Sequence, residues 1–320
     1  MDSKLSRDSY VDDVVFISGI TRSGKALLLP LVASLENSEK ANVNFFLELI
    51  TAMHSTNEIS KEIAVYLLRS GMNITAYDNA IGRNANFRKD DFTSVWKYKE
   101  PLEYISRLIE DDGDRVFEKI DKESKIFPMM WHNGLWHAEI LFSSFPKAKI
   151  LHMKRNPIDI VYSWISRGYD GNFLLNKRSS DSLVYKHNNE IIPHYAYGWE
   201  DKYCSLNGVD KIIHVVDSIR RHHIESYSNL SKKNKKQVLF VGFEDLTLDP
   251  ESTMSIVTNF LNTTVSKYTQ EFLTKERCPR DLDTEAVERK LSVIKGRATQ
   301  ESLDLLINMA DDFNHNSIVI

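Results

Sequence analysis

The chain has 320 residues, 42% of them hydrophobic and 27% charged, which is enough to bury a large core in one large domain or two small ones. Its net charge of −4 excludes a general basic field that would attract nucleic acid. Only two cysteines are present, which excludes a disulfide framework and a cysteine-based metal site. The chain has no uninterrupted run of about eighteen apolar residues, so we expect no transmembrane helix.

Short apolar runs alternate with helical periodicity along the chain. The predicted strands are 14–18, 125–130, 148–153 and 238–241. The predicted helices are 25–35, 44–54, 58–70, 100–109, 115–120, 135–145, one starting at Pro157, 209–230 and 251–261. Pro30 predicts a kink or a late start in the first helix, and Gly71 is predicted to close the third. This alternation favours an α/β fold, a central parallel sheet flanked by helices, in a single domain over 1–320.

Two polar regions interrupt this pattern. Residues 168–196 are rich in Asn and Ser and show no clear period, so we interpret them as a substrate loop or lid. The four lysines between 232 and 236 are interpreted as a solvated loop. The polar, acidic N-terminus lacks the pattern of a signal peptide, and the cysteines are expected to be reduced thiols, which together predict a cytoplasmic location.

The most informative segment is 14–35, VVFISGITRSGKALLLPLVASL. It reads as a strand, a loop bracketed by Gly19 and Gly24, and a helix. The backbone N–H groups of such a loop and the helix N-terminus attract anions, and Arg22 and Lys25 add two positive charges. The spacing from Gly19 to Lys25 also satisfies most of the nucleotide P-loop pattern. However, Ala26 stands where a Ser or Thr hydroxyl would hold Mg²⁺, so the pocket is predicted to bind phosphate or sulfate without metal.

A second segment, 148–168, reads AKILHMKRNPIDIVYSWISRG. A strand is followed by Arg155-Asn156-Pro157, and the proline suits the first turn of the next helix. Arg155 at the strand end can bind a phosphate with bidentate hydrogen bonds from its guanidinium, and Ser163 on the helix can donate a further hydrogen bond.

Together these segments resemble the sulfotransferase family that uses 3′-phosphoadenosine-5′-phosphosulfate (PAPS). The family's [KR]-S-G core, which binds the 5′-phosphosulfate, stands here as Arg22-Ser23-Gly24. Its R-[ND]-P-x-D-x-x-x-S segment, which binds the 3′-phosphate, runs from Arg155 to Ser163. A third match, 238–261, resembles the family's strand, its [YF]-E-D-L-x-x-D-P motif and the following helix. The resemblance implies a P-loop NTPase-like sulfotransferase fold and PAPS as the sulfuryl donor, with no metal required.

The resemblance also implies roles for individual residues. Arg22 occupies the position of the catalytic Lys or Arg. The predicted donor contacts are Arg22, Ser23, Gly24, Lys25, Ala26, Leu27, Arg155 and Ser163, together with Lys295, Gly296 and Arg297, which are similar to a late basic-Gly motif at the 3′-phosphate. One departure is clear: the family often has Thr-Thr or Thr-Ser after the glycine. This chain has Lys25-Ala26, which would remove hydroxyl contacts that Lys25 could replace with charge.

Two residues are candidates for the general base that removes the acceptor's proton. Glu48 lies on the helix after the anion loop, where family members with an acidic base place one. His132 follows a predicted strand, at a distance before Arg155 that resembles members with a histidine base, and an ordinary histidine titrates near neutrality. The Arg22 loop resembles the acidic-base members more closely, which favours Glu48 over His132.

The function predicted is transfer of a sulfuryl group from PAPS to a hydroxyl or amine of a small-molecule or carbohydrate acceptor. The sequence does not identify the acceptor. It predicts no nucleic-acid partner, no membrane segment and no metal site, and it leaves a homodimer open. Two alternatives also stay open: a P-loop kinase or NTPase, supported by the Gly19 to Lys25 spacing, and a non-catalytic nucleotide-binding module of the same fold.

Overall fold

The computed structural model describes residues 5–110, 112–170, 183–281 and 286–315. Within them, five parallel strands form the central sheet in the order β2-β3-β1-β4-β7, and an antiparallel hairpin forms a second, small sheet. The strands are β1 (Val14–Gly19), β2 (Asn42–Val43), β3 (Phe127–His132), β4 (Lys149–Lys154), β5 (Val184–His187), β6 (Glu190–Pro193) and β7 (Val238–Gly242).

Helices lie between successive parallel strands, as parallel pairing requires, and five further helices follow β7 in the described residues. They are α1 (Lys25–Ala33), α2 (Phe45–Ser55), α3 (Lys61–Ala80), α4 (Pro101–Ser106), α5 (Asp114–Glu123), α6 (Ala138–Ser144), α7 (Pro157–Ile165), α8 (Glu200–Ser205), α9 (Gly208–Asn229), α10 (Lys232–Lys235), α11 (Phe243–Leu248), α12 (Pro250–Leu261), α13 (Thr269–Lys275), α14 (Ala286–Lys295) and α15 (Gln300–His315).

Strand β1 is buried along its whole length, and its side chains alternate between two apolar layers. Val14 and Phe16 pack in one layer, with residues of α3 and α6. Val15 and Ile17 pack in the other, with residues of α1 and α12. A central parallel sheet covered by helices on both faces is therefore confirmed as the fold class.

The register of the central strands decides which residues meet. Gly19 lies beside His132 of β3, and Ser18 lies beside His152 of β4. Because these strands are parallel, their carboxyl ends lie at one edge of the sheet, where ligands bind in open α/β folds. The anion loop, the candidate base His132 and Arg155 all follow strands that end at this edge.

Some local predictions were wrong. Gly71 does not close a helix; it lies inside α3, where a Cβ would stand 2.3 Å from Cδ2 of Leu47. The glycine is needed because α2 packs so closely on α3. Three of the four lysines between 232 and 236 lie in the short helix α10, which Ser231 caps, so the segment is not only a loop. Helix α1 begins at Lys25 and includes Pro30, so a late start at Pro30 is wrong.

The predicted substrate loop at 168–196 contains regular structure. Its residues 184–193 form the β5–β6 hairpin, whose two-residue turn is Asn188-Asn189 with φ of 44° and 68°. Residues 171–182 of this segment lie outside the described residues. The role of the segment as a lid, and the single domain over 1–320, stay predictions.

Candidate active site

The anion loop joins β1 to α1 and depends on two glycines. Gly19 and Gly24 have φ of 144° and 111°, a region that L side chains rarely adopt. A Cβ at Gly19 would lie 2.5 Å from Ser23 Oγ and 2.9 Å from the Met153 carbonyl oxygen. One at Gly24 would lie 2.6 Å from a ring carbon of Phe243. Both positions therefore need glycine for conformation and for space.

Arg22 is the point where the two predicted anion segments meet. Its Nε donates to Ser163 Oγ at 3.1 Å, and its carbonyl oxygen accepts from Arg155 Nη1 at 2.9 Å. The indole nitrogen of Trp164 donates to the carbonyl of Thr21, which fastens the same loop to α7. Residues more than 130 positions apart along the chain thus form one basic cluster at the edge of the sheet.

Lys25 is buried at the start of α1, with 3% of its surface exposed. Its Nζ donates to the carbonyl oxygens of Gly19 at 2.7 Å and Ile20 at 2.9 Å. Burial lowers the pKa of Lys25 to about 7, with Arg22 lowering it further and Glu48 opposing the shift.

The other predicted loop contacts differ in what they offer to a ligand. Ser23 is buried, and its Oγ has no hydrogen-bond partner among the described residues. Ala26 is exposed and has no hydroxyl. Leu27 packs in the core, and its N–H donates to the Gly24 carbonyl within the first turn of α1.

The segment after β4 folds as its residue types dictate. The side chain of Asn156 caps α7 by accepting from the N–H of Ile158 at 2.9 Å, and Pro157 occupies the first turn. This cap starts the helix directly after Arg155. The arginine is therefore held between the sheet edge and the N-terminus of a helix, where anions bind.

Arg155 is held from two sides. Its guanidinium lies 4.1 Å from the centre of the Phe243 ring, which Arg280 approaches at 5.6 Å, and its Nε lies 4.0 Å from Asp159. Burial lowers the pKa of Arg155, and the charge of Asp159 opposes this shift. Lys290 of α14 also contacts Asp159, at 2.5 Å. Sequence reasoning missed Lys290, because only the packing of α14 on α7 brings it here.

The late basic segment lies elsewhere in this arrangement. Arg297 forms an ion pair with Asp170, just after the end of α7, and Lys295 is the last residue of α14. The structure thus brings Lys290, rather than the segment 295–297, to the acidic partner of Arg155. A contact between Lys295, Gly296 or Arg297 and the donor stays a prediction.

The two candidate bases, Glu48 and His132, form one hydrogen-bonded pair. Asn44 caps α2 and places Glu48 in its first turn, facing the end of β3. Oε2 of Glu48 accepts from the backbone N–H of His132 at 2.8 Å, and His132 Nδ1 lies 3.1 Å from Oε2 and 3.2 Å from Oε1. Phe45 stacks on the imidazole with ring centres 5.8 Å apart.

This pairing determines which tautomer of the His132 imidazole is present. A carboxylate only accepts hydrogen bonds, so Nδ1 of His132 must carry the proton that faces Glu48. Nε2 is then the nitrogen that can take up a proton from another molecule. The side chain of His132 is 25% exposed and that of Glu48 11%, so the histidine is the member more accessible to an acceptor.

The turn after His132 is fastened to the end of β1. The N–H of Asn133 donates to the Gly19 carbonyl at 3.3 Å, and that of Leu135 donates to Ser18 Oγ at 2.9 Å. Asn133 has φ of 56°, a conformation that asparagine tolerates better than most residues. The anion loop and the candidate base are therefore joined through Gly19.

The described residues contain no group of three or more His, Cys, Asp or Glu side chains that could hold a metal ion. None of the helices they form is long and apolar enough to cross a membrane.

The chain is similar to proteins of one known family. The model of the sulfotransferase domain family matches residues 12–279. A search of curated protein sequences found no significant match. Among solved structures, the sulfotransferase domain of the Synechococcus PCC 7002 olefin synthase is 11% identical with a TM-score of 0.49, and 99% of each chain is covered. Sulfotransferase STF1 of Mycobacterium tuberculosis is 13% identical with a TM-score of 0.43, over 88% of this chain and 76% of that one.

The family match includes all three sequence segments that carried the resemblance, from the anion loop to the motif after β7. Because it extends over well more than half of the chain, the resemblance is confirmed, and the protein belongs to the sulfotransferase family.

Proposed function

We propose that this protein transfers a sulfuryl group from PAPS to a hydroxyl or amine of a small-molecule or carbohydrate acceptor. The observation that carries the proposal is the convergence of Arg22, Ser163 and Arg155 at one edge of the sheet. The residues present fit an anionic donor, since Ser23 Oγ, next to Arg22, is buried without a hydrogen-bond partner among the described residues. PAPS supplies the activated sulfuryl group.

The proposed donor contacts fall in two groups. The loop residues Arg22, Ser23, Gly24, Lys25, Ala26 and Leu27 surround the phosphosulfate, largely with backbone N–H groups and the charge of Arg22. Arg155 and Ser163 hold the 3′-phosphate, and Lys295, Gly296 and Arg297 are proposed to join them. Arg22 also stabilises the negative charge that develops between donor and acceptor, which is the larger part of catalysis in transfers of this kind.

The Glu48–His132 pair performs the proton transfer. His132 Nε2 takes the proton of the acceptor hydroxyl, while Glu48 holds the ring orientation and stabilises the imidazolium that forms. Oε2 of Glu48 already accepts from two N–H groups of His132, and Glu48 is the less exposed member of the pair, which supports the histidine as the direct base. The two candidates from the sequence thus act together in one proton transfer.

Calorimetry with 3′-phosphoadenosine 5′-phosphate tests donor binding. We expect binding in EDTA, and no binding of ATP with Mg²⁺ of comparable strength, because Ala26 offers no hydroxyl to the metal. Arg155→Ala should weaken binding roughly ten- to a hundredfold, because one charge-assisted hydrogen bond contributes about 1.5–3 kcal/mol. Arg83→Ala, which removes an exposed arginine paired with Asp78, is the matched control.

Unchanged affinity in a folded Arg155→Ala protein would refute the assignment of the 3′-phosphate site. Sulfuryl transfer from labelled PAPS to a panel of phenols, aliphatic alcohols, amines and sugars then separates an enzyme from a binding module. Absence of any product, with binding intact, would support the module. The cytoplasmic location and the homodimer stay predictions, and light scattering measures the latter.

A further inference from the structure

Lys25 differs from the other basic residues of the site because its charge is buried behind the anion loop. Its Nζ donates to two successive carbonyl oxygens, those of Gly19 and Ile20. The Gly19 carbonyl also accepts from Asn133, and the Ile20 carbonyl from the N–H of Ser23. The ammonium of Lys25 therefore holds both carbonyl oxygens on the inner side of the loop.

This contact has a geometric consequence for the loop. A trans peptide is planar, and its C=O and the following N–H point in opposite directions. Fixing the carbonyls of Gly19 and Ile20 toward Nζ turns the N–H groups of Ile20 and Thr21 away from it. Lys25 thereby sets the direction of the donors that an anion would meet.

We propose that Lys25 is a positioning residue that shapes the anion loop from behind and that the loop binds its anionic ligand together with a proton taken up at Nζ. The inference rests on the proposed function only for the choice of the anion. It concerns a residue that stands where relatives with Thr-Thr or Thr-Ser have a hydroxyl.

The groups that face Lys25 explain why its charge depends on the ligand. Arg22 faces it from the loop, Glu48 from α2, His152 from β4 and His223 from α9. Burial holds both histidines neutral, so Glu48 is the one negative charge in this group, and it also serves His132. An anion in the loop supplies the missing negative charge and favours the protonated amine.

The direction of the pH effect follows from the pKa of Lys25 in the free protein, which is lowered to about 7. Below pH 7 the amine is protonated before the ligand arrives, and affinity does not depend on this proton. Above pH 7 the proton must be taken from solvent, so affinity falls by up to about tenfold per pH unit for one proton.

The experiment is calorimetry of the full chain with 3′-phosphoadenosine 5′-phosphate at pH 7.5, 8.0 and 8.5, in buffers of different ionisation enthalpy. This range lies above the ordinary pKa values of a histidine and of a phosphate monoester, about 6.5 and about 6. We expect uptake of nearly one proton and roughly tenfold weaker binding at pH 8.5 than at pH 7.5. Lys25→Met should bind more weakly at pH 7.5, without proton uptake.

Lys40→Met is the matched control, because Lys40 is also buried, with a pKa lowered to about 8, but lies before β2 at the opposite end of the strands. It should retain the slope of the unmodified protein. Binding without proton uptake, or an unchanged slope in Lys25→Met, would overturn the inference. The proton count of the unmodified protein decides the question even if Lys25→Met does not fold. Failure of the ligand to bind at any pH would instead refute the proposed function.

Discussion

Two histidines lie on the two strands that neighbour β1, beside successive residues of β1, and their environments are opposite. His132 ends β3 beside Gly19, a quarter exposed, with Glu48 on its Nδ1. His152 lies within β4 beside Ser18, fully buried, with Nδ1 3.0 Å from Ser18 Oγ. Burial lowers the pKa of His152 to about 3. Burial inside the sheet, rather than residue type, thus holds the His152 ring neutral, while the side chain of His132 at the strand end is open to solvent.

Other histidines are buried in the same way as His152. His223 of α9 packs edge-on against His152 with ring centres 4.7 Å apart, and neither of its ring nitrogens has a hydrogen-bond partner among the described residues. Burial also lowers the pKa of His137 and that of His194, the latter to about 4. Burial therefore keeps these imidazole rings neutral.

Loss of either member of the Glu48–His132 pair should have the most severe consequence. Glu48→Gln and His132→Asn should each lower kcat for sulfuryl transfer by about 10²–10⁴-fold, because general-base catalysis contributes that much. Binding of 3′-phosphoadenosine 5′-phosphate should change little. The double variant should be no slower than the worse single variant, because the two residues act as a unit. Single-turnover kinetics with an accepted acceptor measures these rates.

The control for this series is Glu139→Gln, which removes an exposed carboxylate of α6 paired with Lys61. It should keep native turnover. If Glu48→Gln also keeps it while His132→Asn does not, the carboxylate has no part in the proton transfer. If both variants keep it, the base lies elsewhere, and residues 168–196 are the next place to search.

The second effect concerns stability in acid. Because the pKa of His152 and of His194 is lower in the folded chain than the ordinary 6.5, the unfolded chain binds more protons below pH 6.5. Stability is therefore fully present above pH 6.5 and falls as the pH decreases toward the folded pKa values. Each of these histidines should remove about 2 kcal/mol from the free energy of unfolding by pH 5.

Urea unfolding between pH 7.5 and 5 measures this loss. A stability that stays constant over this range would contradict the buried, neutral state of these histidines. Reduced helicity at pH 5 with native helicity restored at pH 7 would show that the loss is reversible and belongs to titration.

The third effect concerns the link between the two histidines. Ser18→Ala should lower the free energy of unfolding by about 1–3 kcal/mol, because the N–H of Leu135 and Nδ1 of His152 both lose their partner in a buried place. Ser166→Ala, which removes an exposed hydroxyl from the end of α7, should change stability by less than about 0.5 kcal/mol. Equal stabilities of the two variants would show that Ser18 does not hold the turn.

Removal of the buried His223 imidazole should change the protein least. His223→Leu replaces an imidazole without hydrogen bonds by an apolar side chain of similar size, so stability at pH 7 should stay within about 1 kcal/mol of the unmodified protein or increase. At pH 5 the variant should be the more stable protein, because one proton-binding group of the unfolded chain has been removed. The same urea titration shows this, and a variant with an unchanged pH slope would exclude His223 from the acid effect.

The sequence predicted the parts of the site that depend on local pattern. Strand–loop–helix order and the spacing around Gly19 predicted the position of Arg22 after β1, and the run of strand residues before Pro157 predicted that of Arg155 at the end of β4. The sulfotransferase resemblance and the α/β fold class are confirmed by the family match and by the sheet. These features were readable because glycine, proline and capping residues act within a few positions of one another.

The contacts that depend on strand order could not be read in this way. Glu48 meets His132 only because β2, which has two residues and no periodicity, pairs with β3. Lys290 reaches Asp159 through helix packing, and no local signal marks it. One missed element did carry a signal: Asn188-Asn189 between two short runs suits a two-residue hairpin turn, since asparagine tolerates positive φ.

The glycine at position 71 gives α2 its distance from α3, and this has a meaning for the chemistry. Leu47, the residue that would meet a Cβ at Gly71, is fully buried and immediately precedes Glu48. A side chain at 71 would push the first turn of α2 outward and carry the carboxylate away from the imidazole. The distance between the carboxylate and the imidazole thus depends on a glycine of another helix, so a change at position 71 would alter the Glu48–His132 contact without replacing either residue.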